Sequence, residues 1–252
     1  MRVTPRKSLG QHFLVDDNIL GVIGRLAELE PDDVVLEIGP GLGTLTRYLA
    51  ERVAHVHAAE FDRRLEAHLD GIPRATIHWG DAMQLDPATL EPPPTKLVAN
   101  LPYNIATPVV AESLNVVQFK SWCVMVQREV ADRFFAVPST KAYGAVSVLV
   151  QLAAERTGLH PVSRDVFRPK PNVESALVAF RRTGPPAGPV VKRVVEAAFA
   201  HRRKTLANSV ALAGLASRDH AAEALATIGR AANVRAEELE PDEFPALAKA
   251  LG

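Results

Sequence analysis

The stretch VVLEIGPGLG, residues 34–43, decides the fold of this chain. Residues 34–38 form a short apolar run of the kind that a buried parallel strand shows. The glycines that follow let the backbone turn tightly and approach a ligand, and residues 44–52 then have a helical pattern. The glycine spacing is G-x-G-x-G, which departs from the dinucleotide fingerprint G-x-G-x-x-G. The stretch predicts a strand, a close-approach loop and a helix.

Further apolar runs alternate with helical patterns up to residue 183. They lie at 55–60, 75–79, 96–100, 122–127, 158–163 and 175–181. This alternation is typical of a mainly parallel sheet with crossover helices, here of seven strands. After a Gly/Pro-rich stretch at residues 183–189, helical patterns dominate. We therefore expect a Rossmann-like α/β domain at residues 1–183 and a small α-helical domain at residues 184–252.

Acidic residues follow the second and third predicted strands. Glu60 comes about twenty residues after the glycine loop, where an acid holds the hydroxyls of a ribose. Asp81 follows the next strand and can accept a hydrogen bond from an adenine amine. A single acid at a strand end is more often an ordinary surface carboxylate, but the ordered series argues against that interpretation. An adenosine site with no place for a pyrophosphate suggests S-adenosylmethionine better than NAD.

The segment ANLPYN, residues 99–104, follows the fourth strand of this series. Asn100 and the carbonyl of Leu101 can both accept hydrogen bonds from a planar exocyclic amine, and Tyr103 offers a ring for base stacking. Such an amine is a poor nucleophile, and two fixed acceptors would favour its reactive, pyramidal form. Asn and Pro are also turn formers, so an ordinary turn is the alternative.

Phe167 precedes a proline-dense loop, residues 168–171, that the prolines hold extended and stiff. Together with Tyr103 it could sandwich a flipped base, because enzymes that act on a base extract it from its stack. The alternative is a core phenylalanine.

The formal charge is zero, with 29 basic and 29 acidic residues, but the charges are unevenly distributed. Basic residues dominate at 164–182 and 192–204, and the tail from residue 235 is acidic. We expect Arg202, Arg203 and Lys204 to contact phosphates, since basic clusters are the electrostatic footprint of nucleic-acid binding. A solvated helix surface is the alternative.

Cys123 is the only cysteine, so the chain can form no internal disulfide and no cysteine-based metal site. The eight histidines lack metal-ligand spacing. No apolar stretch has membrane-spanning length, and the N-terminal residues lack a hydrophobic signal core. We expect a cytoplasmic enzyme, monomeric, with no metal and no membrane association.

Several motifs together resemble one family, the ribosomal RNA adenine N6,N6-dimethyltransferases that modify small-subunit rRNA in bacteria. They lie at residues 8–14, 37–43, 80–82, 100–103, 127–131, 141–144, 167–175 and 202–206. The chain departs from the family pattern at His12, where Asn is common, and at Asn172, where Lys is common. The stretches at 141–144 and 202–204 resemble the small-subunit branch in particular.

The resemblance implies S-adenosylmethionine-dependent dimethylation of two adjacent adenosines in a hairpin near the 3′ end of small-subunit rRNA, on an assembling small ribosomal subunit. It implies catalytic roles for Asn100, Leu101, Pro102, Tyr103 and Phe167. Cofactor contacts are implied for Gln11, His12, Leu14, Gly39, Gly41, Gly43, Glu60, Asp81, Ala82 and Asn100. RNA contacts are implied for Arg168, Lys170, Arg202, Arg203 and Lys204.

Other functions remain open at this point. A resistance-type methyltransferase of large-subunit rRNA would share every residue of the site and differ in RNA docking. An RNA-binding ribosome-assembly factor with dispensable catalysis would keep the fold, although the intact residues 37–43 and 100–103 count against it. A small-molecule N-methyltransferase is disfavoured by the basic helical domain.

Overall fold

The computed structural model describes residues 4–6 and 9–252. Ser8, which begins the first of the motifs above, lies outside the described residues. The chain divides into two units. The first contains the residues up to Ala131 together with Glu155–Arg182, and the second contains Asp132–Ala154 together with Thr183–Gly252.

The first unit is built on a seven-stranded sheet with the strand order β4-β3-β2-β5-β6-β9-β7. Every pair from β4 to β6 is parallel, whereas β9 runs antiparallel to β6. A separate two-stranded antiparallel sheet joins β1 to β8. The strands are β1 (Phe13–Leu14), β2 (Val34–Ile38), β3 (His55–Glu60), β4 (Ala75–Trp79), β5 (Lys96–Asn100), β6 (Ser121–Gln127), β7 (Ala154–Val162), β8 (Phe167–Arg168) and β9 (Ser175–Arg182).

Helices lie between the strands and make up most of the chain after them. They are α1 (Asp17–Leu26), α2 (Thr44–Ala50), α3 (Glu66–Leu69), α4 (Ala106–Ser113), α5 (Arg128–Phe134), α6 (Ala145–Ala153), α7 (Pro189–Phe199), α8 (Leu206–Leu212), α9 (Arg218–Thr227) and α10 (Glu243–Leu251). Several begin at recognisable signals: Asp16 caps α1 by accepting from the Asn18 N–H, and Pro189 occupies the first turn of α7.

The predicted Rossmann-like fold is confirmed, and β2 explains why its pattern was readable. All five residues of β2 are buried, with Val35 and Leu36 almost fully so. A parallel strand that is covered on both faces needs apolar side chains on both, which gives a continuous run and not an alternation. Burying each such side chain contributes roughly 1.5–3 kcal/mol.

Two features differ from the prediction. Strand β7 begins at Ala154, four residues before the predicted start, because it follows α6 directly and its first half is polar and exposed. The expected domain boundary at 183/184 lies next to one observed junction, but residues 132–154 also belong to the helical unit. There α6 packs against α7, and the Tyr143 hydroxyl donates to the Leu239 carbonyl at 2.8 Å.

Candidate active site

A cavity of about 250 Å³ lies within the first unit, at the carboxyl ends of β2, β3, β4 and β5. This is the edge at which doubly wound sheets bind their ligands. Among the residues predicted for the cofactor and catalytic sites, those in its wall are Gln11, His12, Leu14, Gly39, Gly41, Glu60, Asp81, Ala82, Asn100, Leu101, Pro102 and Tyr103.

The glycine loop after β2 forms one side of the cavity. Gly39 and Gly41 have φ of +74° and +59°, which L side chains rarely adopt. A Cβ on Gly39 would meet Pro102 at 3.1 Å, and one on Gly41 would meet the Phe13 ring at 3.0 Å. Side chains at these positions are therefore excluded both by backbone conformation and by space.

Gly43 does not lie in the wall, contrary to the expectation of a cofactor contact. It is the residue before α2 and has a φ of +76°. A Cβ there would meet the Arg47 guanidinium at 2.7 Å. A glycine is therefore required at position 43 by the turn into α2 and not by a ligand.

Glu60 is buried at the end of β3, and backbone donors hold both oxygens of its carboxylate. The Gly41 N–H donates to Oε2 at 3.1 Å and the Asp62 N–H donates to Oε1 at 2.8 Å. Burial raises the pKa of Glu60, and these two backbone hydrogen bonds oppose the rise. The carboxylate is fixed in the wall, and each oxygen keeps a lone pair for a further donor.

Asp81 is exposed after β4 and also lines the cavity. Its Oδ1 accepts from the Met83 N–H at 2.9 Å, which orients the carboxylate within a tight turn. The second oxygen remains available to a ligand at this point of the wall.

Glu37 was not among the predicted site residues, yet its buried carboxyl also lines the cavity. Its Oε2 has no hydrogen-bond partner among the described residues. Burial raises the pKa of Glu37 to about 8; the nearby Thr46 hydroxyl lowers it and the charge of Glu60 raises it further. An acid inside the apolar run of β2 is the sequence signal that could have identified it, because a buried carboxyl is rare without a partner.

Phe61 was also missed. It follows Glu60 directly, lines the cavity and is 62% exposed, which is unusual for a phenylalanine. Its position next to the strand-end acid was the available signal. An exposed aromatic ring beside a carboxylate offers a stacking surface for a nucleoside.

The segment before α1 contributes to the other side of the cavity. Gln11 Nε2 donates to Asp62 Oδ2 at 3.0 Å, and Leu14 of β1 is buried opposite Phe167 of β8. Paired hydrogen bonds from Arg64 hold the pKa of Asp62 well below its usual range. Asp62 therefore stays ionised and anchors this segment through Gln11.

The segment after β5 carries Asn100, whose amide group is oriented by a distant part of the chain. Asn100 Nδ2 donates to the His12 carbonyl at 3.2 Å. This leaves Oδ1 as the acceptor that the side chain can offer to another group. The Leu101 N–H donates to the Met125 carbonyl at 3.0 Å, which fixes the following backbone to β6.

Tyr103 is half-buried at the cavity and is held at its hydroxyl and on its ring. Its hydroxyl is hydrogen-bonded to Ser175 Oγ at 2.6 Å, and burial raises its pKa. The His12 ring stacks on it at a centroid separation of 5.4 Å, and His12 Nδ1 donates to the Pro169 carbonyl at 2.8 Å. His12, one of the two departures from the family pattern, thus contacts both Asn100 and Tyr103.

Phe167 is fully buried, in contrast to the predicted base sandwich. It pairs with Leu14 in the β1–β8 sheet and belongs to the hydrophobic core together with Val162 and Leu177. In this structure it presents no free ring face to the cavity, so the sandwich with Tyr103 is not formed. The apolar gain from full burial is what places it in the core.

The basic side chains of the proline-rich loop have partners within that loop. Arg168 donates to the carbonyls of Asp165 and Phe167, and Lys170 forms an ion pair with Asp165 at 2.5 Å. Both residues are exposed. Exposed ion pairs contribute little to stability, so Lys170 can exchange its partner for a phosphate at low cost.

Arg202, Arg203 and Lys204 are exposed in the helical unit, but they are not equivalent. The Arg202 guanidinium donates to the carbonyls of Lys141 and Tyr143, at 3.2 Å and 2.9 Å, and reaches Glu237. For Arg203 and Lys204 the described residues include no ion-pair partner. The two motifs at 141–144 and 202–206 are thus joined through Arg202.

No helix in residues 4–6 and 9–252 is long and apolar enough to cross a membrane. Within the same residues, no group of three or more His, Cys, Asp or Glu side chains is arranged to hold a metal ion.

The sheet order, the glycine loop and the acids at successive strand ends define a Rossmann-like methyltransferase. A family profile described as "Ribosomal RNA adenine dimethylase" matches residues 2–251. The chain belongs to this family, and it is an rRNA adenine dimethyltransferase that uses S-adenosylmethionine.

Similar proteins agree over nearly the whole length. The chain is 46% identical over 250 residues to "Ribosomal RNA small subunit methyltransferase A" of Rubrobacter xylanophilus, covering 96% of this chain and 94% of that protein. A solved 23S rRNA methyltransferase, ErmE, has a TM-score of 0.64 at 29% identity, covering 95% and 99% of the two chains. A dimethyladenosine transferase of Plasmodium falciparum has a TM-score of 0.77 at 24% identity, covering 94% and 96%, and shows the fold alone.

The residues of the cavity fit S-adenosylmethionine, which carries an ammonium group, a ribose diol and an adenine amine. Glu37 has a buried oxygen without a partner, and Glu60 and Asp81 offer further acceptors. Gly39 and Gly41 leave free a space that a Cβ would obstruct. Acceptors for three kinds of donor therefore surround a loop that permits close approach of a ligand.

Proposed function

We propose that this protein dimethylates the N6 amines of two adjacent adenosines in a hairpin near the 3′ end of small-subunit rRNA, on an assembling small ribosomal subunit. The observation that carries the reaction is the orientation of Asn100, whose amide nitrogen is occupied by the His12 carbonyl. The small-subunit substrate is supported by the name of a relative that is 46% identical. Such a substrate implies action in the cytoplasm. We keep the expectation that the protein acts as a monomer.

Residues of the strand ends β2 to β4 would hold the cofactor. Glu60 would accept from the ribose hydroxyls and Asp81 from the adenine amine, while Phe61 would stack on the adenine. Gly39 and Gly41 would adjoin the methionine part, whose ammonium group suits Glu37. Gln11, His12, Leu14 and Ala82 complete the wall.

Residues after β5 would act on the target amine. In the first transfer Asn100 Oδ1 and the Leu101 carbonyl would each accept one N–H of the adenine N6, which favours a pyramidal nitrogen with a localised lone pair. In the second transfer the methylated amine has one N–H left to donate. When bound, S-adenosylmethionine supplies an electrophilic methyl group on a sulfonium and leaves as a neutral thioether. The amine lone pair forms the new carbon–nitrogen bond, and the resulting cation releases its proton to water. Asn100 is neutral, so its role requires no particular pKa.

Tyr103 would provide the stacking surface and Pro102 would stiffen the segment that presents it. Orientation within near-attack distance supplies much of the rate acceleration in such a site, because the two reactants need no further ordering. Fixed acceptors aimed at the reacting amine add electrostatic stabilisation of the transition state.

RNA would be bound through exposed basic residues. Arg203 and Lys204 are the strongest candidates, because they are exposed and carry no ion pair among the described residues. Arg168 and Lys170 of the proline-rich loop are further candidates. For Arg202 we expect a smaller direct share, since its guanidinium already holds the Lys141 and Tyr143 carbonyls.

A methyltransferase of large-subunit rRNA is the nearest alternative. Identity to the 23S rRNA enzyme is 29%, against 46% to the small-subunit relative, which favours the small subunit. An assembly factor with dispensable catalysis would have no need of an oriented Asn100.

Mass mapping of rRNA from cells with and without the protein tests the proposal. We expect dimethyladenosine at two adjacent positions near the 3′ end of small-subunit rRNA only when the protein is present. Purified protein with small-subunit particles and S-adenosylmethionine should restore it. Modification of large-subunit rRNA, or unchanged small-subunit rRNA in both strains, would overturn the proposal.

A further inference from the structure

A hydrogen bond between the hydroxyls of Tyr103 and Ser175 joins two distant parts of the chain, at 2.6 Å. We propose that Ser175 is a positioning residue that sets the orientation of the Tyr103 ring for methyl transfer. The proposal rests on the proposed function of Tyr103 as the surface on which the target base stacks. Ser175 itself lies outside the cavity wall and touches no reacting atom.

Ser175 is well placed to act as a fixed anchor. It is only 1% exposed and is the first residue of β9, where it pairs with Gln127 of β6. Strand β9 has strands on both sides in the seven-stranded sheet. Its backbone is therefore held by two ladders, and the hydroxyl starts from a rigid position.

Tyr103 lies on the loop after β5 and lacks such support from its own backbone. A tyrosine side chain can swing about its Cα–Cβ bond, so a contact at the far end of the ring is needed to fix where the ring lies. The bond to Ser175 supplies this contact at the hydroxyl. A buried serine hydroxyl also needs a partner, and an unsatisfied one costs about 1–3 kcal/mol.

The His12 ring constrains the same tyrosine from one face. The two rings are 5.4 Å apart with an interplanar angle of 28°. A base inserted between them would need about 7 Å, twice the contact distance of aromatic carbons. The base therefore has to use the opposite face of Tyr103, and the position of that face depends on the bond to Ser175.

A double-mutant cycle tests the proposal. S175A and Y103F each remove one hydroxyl of the pair, so each should lower single-turnover methyl transfer by about 10-fold, in line with the sensitivity of rates to small misplacement. The double variant should be no slower than the slower single variant, because both changes delete one interaction. Affinity for S-adenosylmethionine should be unchanged, and S175T, which keeps the hydroxyl, should recover most of the rate.

S113A is the matched control. Ser113 is also buried, and its hydroxyl accepts from Trp122 Nε1 at 2.8 Å, away from the cavity. S113A should lower the free energy of unfolding to a similar extent without changing the rate. Equal rate losses in S113A and S175A would mean that the effect is general destabilisation and would overturn the proposal.

A second readout does not depend on activity. The chain has only three tyrosines, so the ring signals of labelled tyrosine can be assigned with Y103F. In S175A the signal of Tyr103 should shift while those of Tyr48 and Tyr143 stay. An unmoved Tyr103 signal, or a wild-type rate in S175A, would overturn the proposal. The Tyr103 signal could move in S175A while the wild-type protein itself transfers no methyl group. That result would support the positioning of the ring and reject the proposed function.

Discussion

The cavity has two halves that are assembled differently. In the cofactor half, at the ends of β2 to β4, the key hydrogen bonds join residues close in sequence: Gly41 to Glu60 is 19 residues and Asp62 to Glu60 is two. In the amine half, after β5, Asn100 is bound to a residue 88 positions away and Tyr103 to one 72 positions away. The acceptors for the cofactor thus come from local strand-end sequence, whereas the orientation of reacting groups comes from distant segments.

The difference suggests a division of labour. The cofactor half can be built from one repeated unit, a parallel strand followed by a short polar loop. The amine half requires three segments to meet, because His12 also binds the Pro169 carbonyl, 157 residues away. We expect changes in the first half to alter affinity and changes in the second to alter rate.

The largest expected effect is on rate. N100A removes the oriented acceptor and should lower single-turnover methyl transfer on the order of 10²–10³-fold, as for the loss of other preorganised catalytic donors or acceptors. Cofactor affinity should change much less, because the contact matters mainly in the transition state. N115A, an exposed asparagine outside the cavity wall, is the control. Wild-type turnover in N100A would remove Asn100 from the mechanism.

The next effect is on cofactor affinity. E60A and D81A each remove an acceptor, so S-adenosylmethionine binding measured by calorimetry should weaken roughly 5- to 150-fold, equivalent to about 1–3 kcal/mol. Asp86 provides a matched control, since its Oδ1 accepts from the Ala88 N–H at 2.9 Å as Asp81 accepts from Met83. D86A should bind normally. Unchanged affinity in E60A and D81A would mean that the cofactor half does not determine the affinity for S-adenosylmethionine.

Glu37 should make stability depend on pH. Its pKa of about 8 exceeds the ordinary 4.5, so the folded state retains a proton that the unfolded state releases. The resulting stabilisation is complete below about pH 4.5 and is lost as pH rises through about 8, at no more than about 1.4 kcal/mol per pH unit. The free energy of unfolding in urea should fall over this range relative to E37Q.

The control for Glu37 is E66Q, which changes an exposed carboxyl at the start of α3. It should follow the wild-type curve. If the wild type and E37Q show parallel pH dependence without cofactor, then burial does not raise the pKa of Glu37 in the folded protein, and the carboxylate is already ionised before an ammonium group binds.

The smallest effect on the cofactor half and the amine half should come from removing the two exposed basic residues without an ion pair among the described residues, Arg203 and Lys204. Removing Arg203 and Lys204 together should flatten the salt dependence of binding to small-subunit particles by up to about 1.8 log units per log unit of salt, or 0.9 for each phosphate contact. Cofactor affinity should hold. The double variant R218A/K249A, which removes two exposed charges elsewhere in the same unit, should retain the wild-type slope.

R202A should differ from that pair. Its guanidinium holds two backbone carbonyls, so we expect a loss of stability in addition to any loss of RNA binding. Thermal unfolding separates the two effects. If R202A and the double variant of Arg203 and Lys204 behave alike in thermal unfolding and in RNA binding, all three residues act as surface charges.

The sequence predicted the cofactor half better than the amine half, for a physical reason. Strands buried on both faces give apolar runs, and the residue that follows each run has to lie at the same sheet edge; Glu60 and Asp81 were found in this way. The sequence around Phe167 does not show that this residue packs into the core opposite Leu14. The two residues are far apart in the chain, and the strands that pair them have only two residues each.

Other misses have the same origin. Gly43 looked like its two neighbouring glycines, and only the contact with Arg47 shows that it serves the helix start. Arg202 looked like Arg203, and only its bonds to the Lys141 and Tyr143 carbonyls distinguish it. Residues 132–154 precede a strand of the sheet, yet their packing partners come later in the chain. In each case the sequence shows which residue is present, but it does not show which residue it contacts.

The long-range contacts of His12 also have a consequence for synthesis. Residue 12 leaves the ribosome early, but the Pro169 carbonyl that binds its ring appears 157 residues later. At about 5–20 residues per second, that interval lasts roughly 8–30 seconds. During this time the strands that carry the cofactor acids can already fold, whereas the amine half cannot yet be complete. The acceptors for S-adenosylmethionine can therefore form on a nascent chain before the groups that orient the target amine.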